Sequence, residues 1–221
     1  MRRVLATSTA AETLFPEPEV GQFLEYVRAI WCEQKSVGPT WWAAKHETTL
    51  VAGLFHALND ENKRQEAGVV WGHFVYEATD VELDPQGMPK ARGRTDIKFL
   101  YAAKFGPELV LEFKRLDNKR PLRKKYATEG VGRFSSGKYS PNADVGIMVG
   151  MVAGCALTEK TKLCAYLSEA KVASELSSQA ITHPAYGDPS QYGALAFDTK
   201  HNRPTHCLAS TIVVGHMLLE R

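Results

Sequence analysis

From Glu108 to Lys114 the chain alternates, with Leu109, Leu111 and Phe113 on one parity and Val110, Glu112 and Lys114 on the other. A period of two predicts a β-strand whose apolar set faces a core while the acid and the amine point the other way together. Asp96 and Lys98 alternate in the same manner with Ile97 and Phe99, and Phe105-Gly106-Pro107 lies between the two runs as a turn signal. The pattern therefore predicts a β-hairpin. Facing side chains on adjacent antiparallel strands lie about 5 Å apart, close enough for Asp96 and Glu112 to share one ion. The same alternation also fits an exposed sheet face whose charges pair with one another.

Upstream the period changes. Thr40 to Asn59 reads as a helix, with Gly38-Pro39 before it, Thr40 as N-cap, and Ala44, Leu50, Val51, Leu54 and Leu58 on the apolar side. On a helical wheel Leu54 and Leu58 fall about 20° to either side of Glu47, which places that carboxylate in the middle of the buried stripe. An inward carboxylate is costly unless it is paired or binds a metal, so Glu47 is either a functional acid or one half of a salt bridge with Lys114 or an arginine.

The remaining pattern completes an α/β chain. Phe23, Leu24, Val27, Ile30 and Trp31 recur at helical spacing within Val20 to Trp31, as a core face. Gly68 to Glu82 reads as a strand or hairpin leading to Asp96, and Tyr126 to Phe134 as a helix. Asp144 to Val152 is a continuous apolar run of the kind found in buried central strands. A helix is expected from about Thr158 to Gln179, and a closing strand from Cys207 to Leu219. Residues 1 to 18 lack a period and contain two prolines, which predicts a flexible N-terminal arm ahead of one domain over 19–221.

A helix glutamate, a strand aspartate and a Glu-x-Lys on the next strand, in the order Glu47, Asp96, Glu112, Lys114, resemble the PD-(D/E)XK nuclease superfamily. The likeness spans about residues 40 to 153, and Thr95 stands where the motif name has proline. The resemblance implies a restriction-endonuclease-like fold, a central mixed β-sheet flanked by helices, and metal-dependent phosphodiester hydrolysis. It implies that Asp96 and Glu112, with the Phe113 carbonyl, hold Mg²⁺, with Mn²⁺ as substitute, and that Glu47 assists at the metal. Lys114 would orient water and stabilise charge on the phosphate. Members of the superfamily serve restriction, repair, recombination and phage defence. The resemblance thus extends to a bacterial defence or repair role, as a homodimer or beside a partner protein.

Charge bears on the partner. The net charge is only +2, yet residues 90–138 hold fourteen Lys/Arg against five Asp/Glu, while the rest holds thirteen against twenty. A basic segment around paired acids suits a polyanion bound through phosphate contacts that salt weakens, and the resemblance implies DNA in preference to RNA. The candidate contacts are Arg94, Arg115, Lys119, Arg120, Arg123, Lys124, Lys125 and Lys138, and the resemblance, through the helix after the Glu-x-Lys strand, implies Arg133 as a further phosphate contact and Glu129 for positioning water. A solvated basic loop is the alternative for this run. A non-catalytic nucleic-acid-binding module and a structural subunit of a larger complex are the alternatives for the whole chain.

Other motifs fall away. Gly132 to Lys138 has GxxxxGK spacing, but Tyr139 replaces the Ser/Thr that would meet Mg²⁺ and Pro141 interrupts the following helix. Cys32, Cys155, Cys164 and Cys207 show no zinc-ligand pairing and read as reduced core residues of a cytoplasmic protein. His201, His206 and His216 read as satisfied or surface histidines. No secretory pattern and no membrane-spanning run is expected.

Overall fold

The computed structural model describes residues 17–83, 85–86, 88–101, 108–179 and 186–221. Helix α1 (Glu17–Val37) is followed by a 3₁₀ turn at Thr40–Ala43, then α2 (Glu47–Leu58) and α3 (Glu61–Glu66). Strands β1 (Gly72–Tyr76), β2 (Thr79–Leu83), β3 (Pro89–Arg94), β4 (Ile97–Tyr101) and β5 (Glu108–Leu116) come next. A continuous helical stretch then runs from α4 (Arg120–Lys125) through a π-helical turn at Tyr126–Val131 to α5 (Gly132–Ser135). The chain ends with β6 (Val145–Val152), α6 (Ala156–Leu167), α7 (Ala170–Glu175), β7 (Phe197–Asn202) and β8 (Thr211–Glu220).

Six strands form an open mixed sheet in the order β1-β4-β5-β6-β8-β7, and β2 pairs with β3 in a separate ribbon. The β5–β6 and β6–β8 pairs are parallel, the others antiparallel. One face packs on α1 and α2 through Leu109, Leu111 and Phe113, beside Phe23, Leu24, Leu50 and Leu54. The opposite face packs Val110, Leu116 and Met148 against Tyr126, Val131, Phe134 and Leu163 from the helices after β5. All eight residues of β6 are buried, as its uninterrupted apolar run predicts for a strand covered on both sides. The expected architecture, a central mixed sheet flanked by helices, is the one observed.

Several boundaries differ from the expectation. The helix expected from Thr40 starts only at Glu47, with His46 at its N-cap and Pro39 preceding the 3₁₀ turn. Carbonyls that a longer helix would use internally are taken elsewhere: Arg221 donates to Trp42 O (2.9 Å) and Ala44 O (3.1 Å), and Arg115 to Lys45 O. Trp42 packs on Trp31 with ring centroids 4.6 Å apart, fixing the link against α1. The helix expected over Thr158–Gln179 is two helices, broken near Ser168 so that Val172 and Leu176 join the second core. The last strand begins at Thr211, not Cys207, whose N–H donates to Pro204 O in a turn (3.0 Å). Most of the N-terminal arm and the Phe105-Gly106-Pro107 turn lie outside the described residues, though α1 already begins at Glu17.

The cysteines are free, but only Cys164 and Cys207 are buried; Cys32 and Cys155 are exposed, the latter on a helix N-cap. His201 and His216 are buried and satisfied, both meeting the Thr199 hydroxyl, at 2.7 and 2.9 Å.

Candidate active site

Strand β5 outruns β4. The two pair from Leu100↔Glu108 to Ile97↔Leu111, after which the chain before β4 turns off into the β2–β3 ribbon, with Thr95 N–H donating to Ala78 O (3.0 Å). Beyond Leu111 the β5 edge on that side has lost its ladder partner. Buried backbone donors need acceptors, and two carboxylates supply them. Phe113 N–H donates to Asp96 Oδ2 (2.8 Å) and Arg115 N–H to Glu47 Oε2 (2.9 Å). Asp96 sits immediately before β4 instead of within it, and Glu47 on the first turn of α2 instead of mid-stripe. The fork in the sheet thus draws together acids separated by 49 positions in the sequence.

Glu112 and Lys114 share one face of β5 as the alternation predicts, but that face is not open to water. The helical stretch after β5 covers it, leaving Glu112 only 1% exposed. Lys114 Nζ donates to Glu112 Oε1 (2.8 Å), Phe113 O (2.8 Å) and Glu47 Oε1 (3.2 Å). From α5, Arg133 Nη1 donates to the same Glu112 Oε1 (2.9 Å). Glu112 Oε2 is buried without a hydrogen-bond partner.

The electrostatics follow from burial and count. Three carboxylates, Glu47, Asp96 and Glu112, meet two cations, Lys114 and Arg133. Burial, joined by the charge of Asp96, pushes Glu112 up to about 7, against the pull of Lys114 and Arg133. Burial also raises Asp96, although Lys114 and the Phe113 amide oppose it. Burial works against the Lys114 ammonium, but Glu112, Glu47 and Asp96 together outweigh it and raise its pKa. With Glu112 ionised the cluster carries one negative charge more than its own cations neutralise; with Glu112 protonated it is balanced.

A divalent cation fits that deficit. The donors free to take one are carboxylate oxygens, above all the unpartnered Glu112 Oε2, together with Asp96. Glu47 spends one oxygen on Lys114 and the other on the Arg115 amide, and the Phe113 carbonyl already accepts from Lys114. Among the described residues no group of three or more His, Cys, Asp or Glu is arranged to hold an ion. Two carboxylates with water and substrate oxygens completing the shell is the usual habit of Mg²⁺, not of metals held in all-protein cages.

Beside Lys114 lies a cavity of about 210 Å³ lined by Glu47, Lys114, Arg115, Leu122, Lys125 and Glu129. It brings three of the expected phosphate or water contacts, Arg115, Lys125 and Glu129, next to the acids. Other expected contacts are engaged elsewhere. Arg123 is buried in a two-point pair with Glu159 (2.7 and 3.0 Å), so its guanidinium holds α4 to α6 and is not presented to a ligand. Arg120 pairs with Glu169 (2.6 Å), Lys119 with Asp117 (3.0 Å) and Arg94 with Glu77 (3.3 Å), all on the surface. Lys124 and Lys138 are exposed.

Sequence reasoning gave Tyr139 no role beyond spoiling a phosphate-loop motif. It is fully buried; its hydroxyl donates to Arg94 O (2.6 Å) and accepts from Arg133 Nη1 (2.6 Å). Burial, then the charge of Glu112, pushes it up to about 12, so it stays a phenol at any ordinary pH. Its partners lie 45 and 6 positions away, beyond any local signal.

Compared with protein-family models, curated proteins and solved structures, the chain matches none. Among the described residues no helix is long and apolar enough to cross a membrane.

Proposed function

We propose that the chain is a metal-dependent nuclease of the PD-(D/E)XK type, acting on DNA in preference to RNA. The observation that carries this reading is the charge and composition of the fork: Asp96 and Glu112 side by side, Lys114 against them, and one unneutralised negative charge once Glu112 is ionised. A divalent cation turns that balance to one positive charge, which a phosphodiester, carrying one negative charge, cancels. Asp96 and Glu112 would hold the cation, Mg²⁺ or Mn²⁺, which supplies Lewis acidity toward a phosphoryl oxygen.

The chain's own groups do the rest. Lys114 can release Phe113 O and Glu47 to donate to a phosphate oxygen or to the attacking water, holding it in line and neutralising charge as it develops. Glu47 anchors the Arg115 amide and so the end of β5 on which Lys114 stands. Arg115 and Lys125 at the cavity rim suit phosphates flanking the one cleaved, while Glu129 faces the same cavity and is placed to position water.

One observation favours a second reading. Lys114 already pairs with both Glu112 and Glu47, the arrangement of a salt-bridged module that binds nucleic acid without cutting it. Incubating the protein with single- and double-stranded DNA and RNA in Mg²⁺, Mn²⁺ or EDTA separates the two. Cleavage that needs the metal and disappears in Glu112→Ala and Lys114→Ala supports the nuclease. Binding without cleavage in every metal supports the module.

A further inference from the structure

Arg133 holds Glu112 in an unusual way for an arginine facing a carboxylate. Guanidinium and carboxylate favour a two-point fork in which two N–H groups meet two oxygens. Here Arg133 reaches only Oε1, through Nη1, and Oε2 is left buried and bare. The same Nη1 also donates to the Tyr139 hydroxyl at 2.6 Å, and the Arg133 guanidinium carbon lies 5.3 Å from the centre of the Tyr139 ring. The hydroxyl proton is committed to Arg94 O, two residues before Asp96, so the oxygen facing Arg133 can only accept. Tyr139 is itself fixed: Arg203 donates to its carbonyl (2.9 Å), and to Ser140 O and Ala143 O.

We infer that Tyr139 is a positioning residue that holds Arg133 to one oxygen of Glu112 and keeps Oε2 open for a divalent cation. The inference rests on the metal-site reading above. Without the hydroxyl, the guanidinium is free to swing into the two-point fork, covering both oxygens and competing with the cation. Arg133 then changes from a neighbour that tempers the charge of Glu112 into a plug. The same hydroxyl bonds the strand entering Asp96, so one group sets both carboxylates relative to the arginine.

The test is Mn²⁺ binding to the full chain by calorimetry, without nucleic acid. Tyr139→Phe should weaken binding about 10- to 100-fold, the range for groups that orient metal ligands. Adding Arg133→Met in that background should bring affinity back to within about threefold of wild type, because the competitor is gone, a coupling that independent sites do not show. Unchanged affinity in Tyr139→Phe, or no recovery in the double variant, overturns the inference while leaving the metal site intact. A wild-type chain that binds no Mn²⁺ overturns the metal-site reading itself and this inference with it. Should Tyr139→Phe fail to fold, Arg133→Met alone decides. It must bind Mn²⁺ at least as tightly as wild type, and weaker binding counts against a guanidinium that competes.

Discussion

At Glu112 a carboxylate is buried beside a second carboxylate, and its proton affinity carries a pH dependence whose sign is fixed. Its ordinary value of 4.5 is raised to about 7 in the folded chain. Between those values the folded state holds a proton that the unfolded state has released, so this group's contribution to stability is largest below pH 4.5, falls as pH rises to 7, and is level above. Glu112→Gln should thus gain melting temperature relative to wild type as pH increases, with the gain levelling off above pH 7. A difference independent of pH would rule out a protonated Glu112. Cation binding must expel the same proton, so Mn²⁺ affinity should rise with pH through about 7, which titration calorimetry at pH 6 and 8 would read. Arg123 carries the opposite kind of prediction. Arg123→Ala leaves Glu159 buried and uncompensated, and should cost about 3–5 kcal/mol in urea unfolding. The acids and Lys114 were legible residue by residue because strand parity and motif order are local. Arg123 was not, because its partner lies 36 positions on and nothing in a basic run reports it.

Elements impose their own constraint on where Glu47 sits. The 3₁₀ turn carries Trp41, whose ring lies flat on α2 at Gly53, where a Cβ would overlap the indole. Gly53→Ala must push a large, rigid ring off the helix, and overpacking of this kind costs about 1–3 kcal/mol. Because that turn leads into the link that delivers Glu47, the same variant should weaken the proposed cleavage as well as lower the urea midpoint. Loss of stability with full activity would show that the turn and the acid are uncoupled. The hairpin strands and α1 were readable since their periods are clean, and β6 since its apolar run is unbroken. The turn was not: Thr40 to Leu58 keeps a helical apolar spacing throughout, and only Arg115 and Arg221, from β5 and the chain's end, divert the carbonyls that would extend α2. Strand β7 escaped notice for a related reason. Asp198, Thr199 and His201 are polar and carry no apolar alternation, yet they are buried and paired with Ser190, His216 and the Leu176 carbonyl. Likewise the alternation left open an exposed sheet face at Glu112, because the period of a strand cannot reveal a second helical layer above it.

For the whole molecule, the question is how much of the basic segment is available to a polyanion. Nine residues were candidates from the sequence. Arg123 and Arg133 point their charges inward, and Arg94, Lys119 and Arg120 are matched by surface acids, so that phosphate contact there exchanges one anion for another. That leaves Arg115 at the cavity and the exposed Lys124, Lys125 and Lys138, none in an ion pair among the described residues. Each phosphate neutralised on a duplex contributes about −0.9 to the slope of log affinity against log salt. Four contacts predict a slope of about −4, whereas all nine would give about −8. Duplex binding measured in EDTA over a salt series distinguishes the two, and Lys124→Ala with Lys125→Ala should flatten the slope by about 2. Opening of the three surface pairs on binding would bring the slope to about −6, and a slope near −8 would require Arg123 and Arg133 to leave their buried partners as well. A slope near −4 would confine the grip to the cavity rim and its flank, next to the carboxylates where a single phosphate can be held.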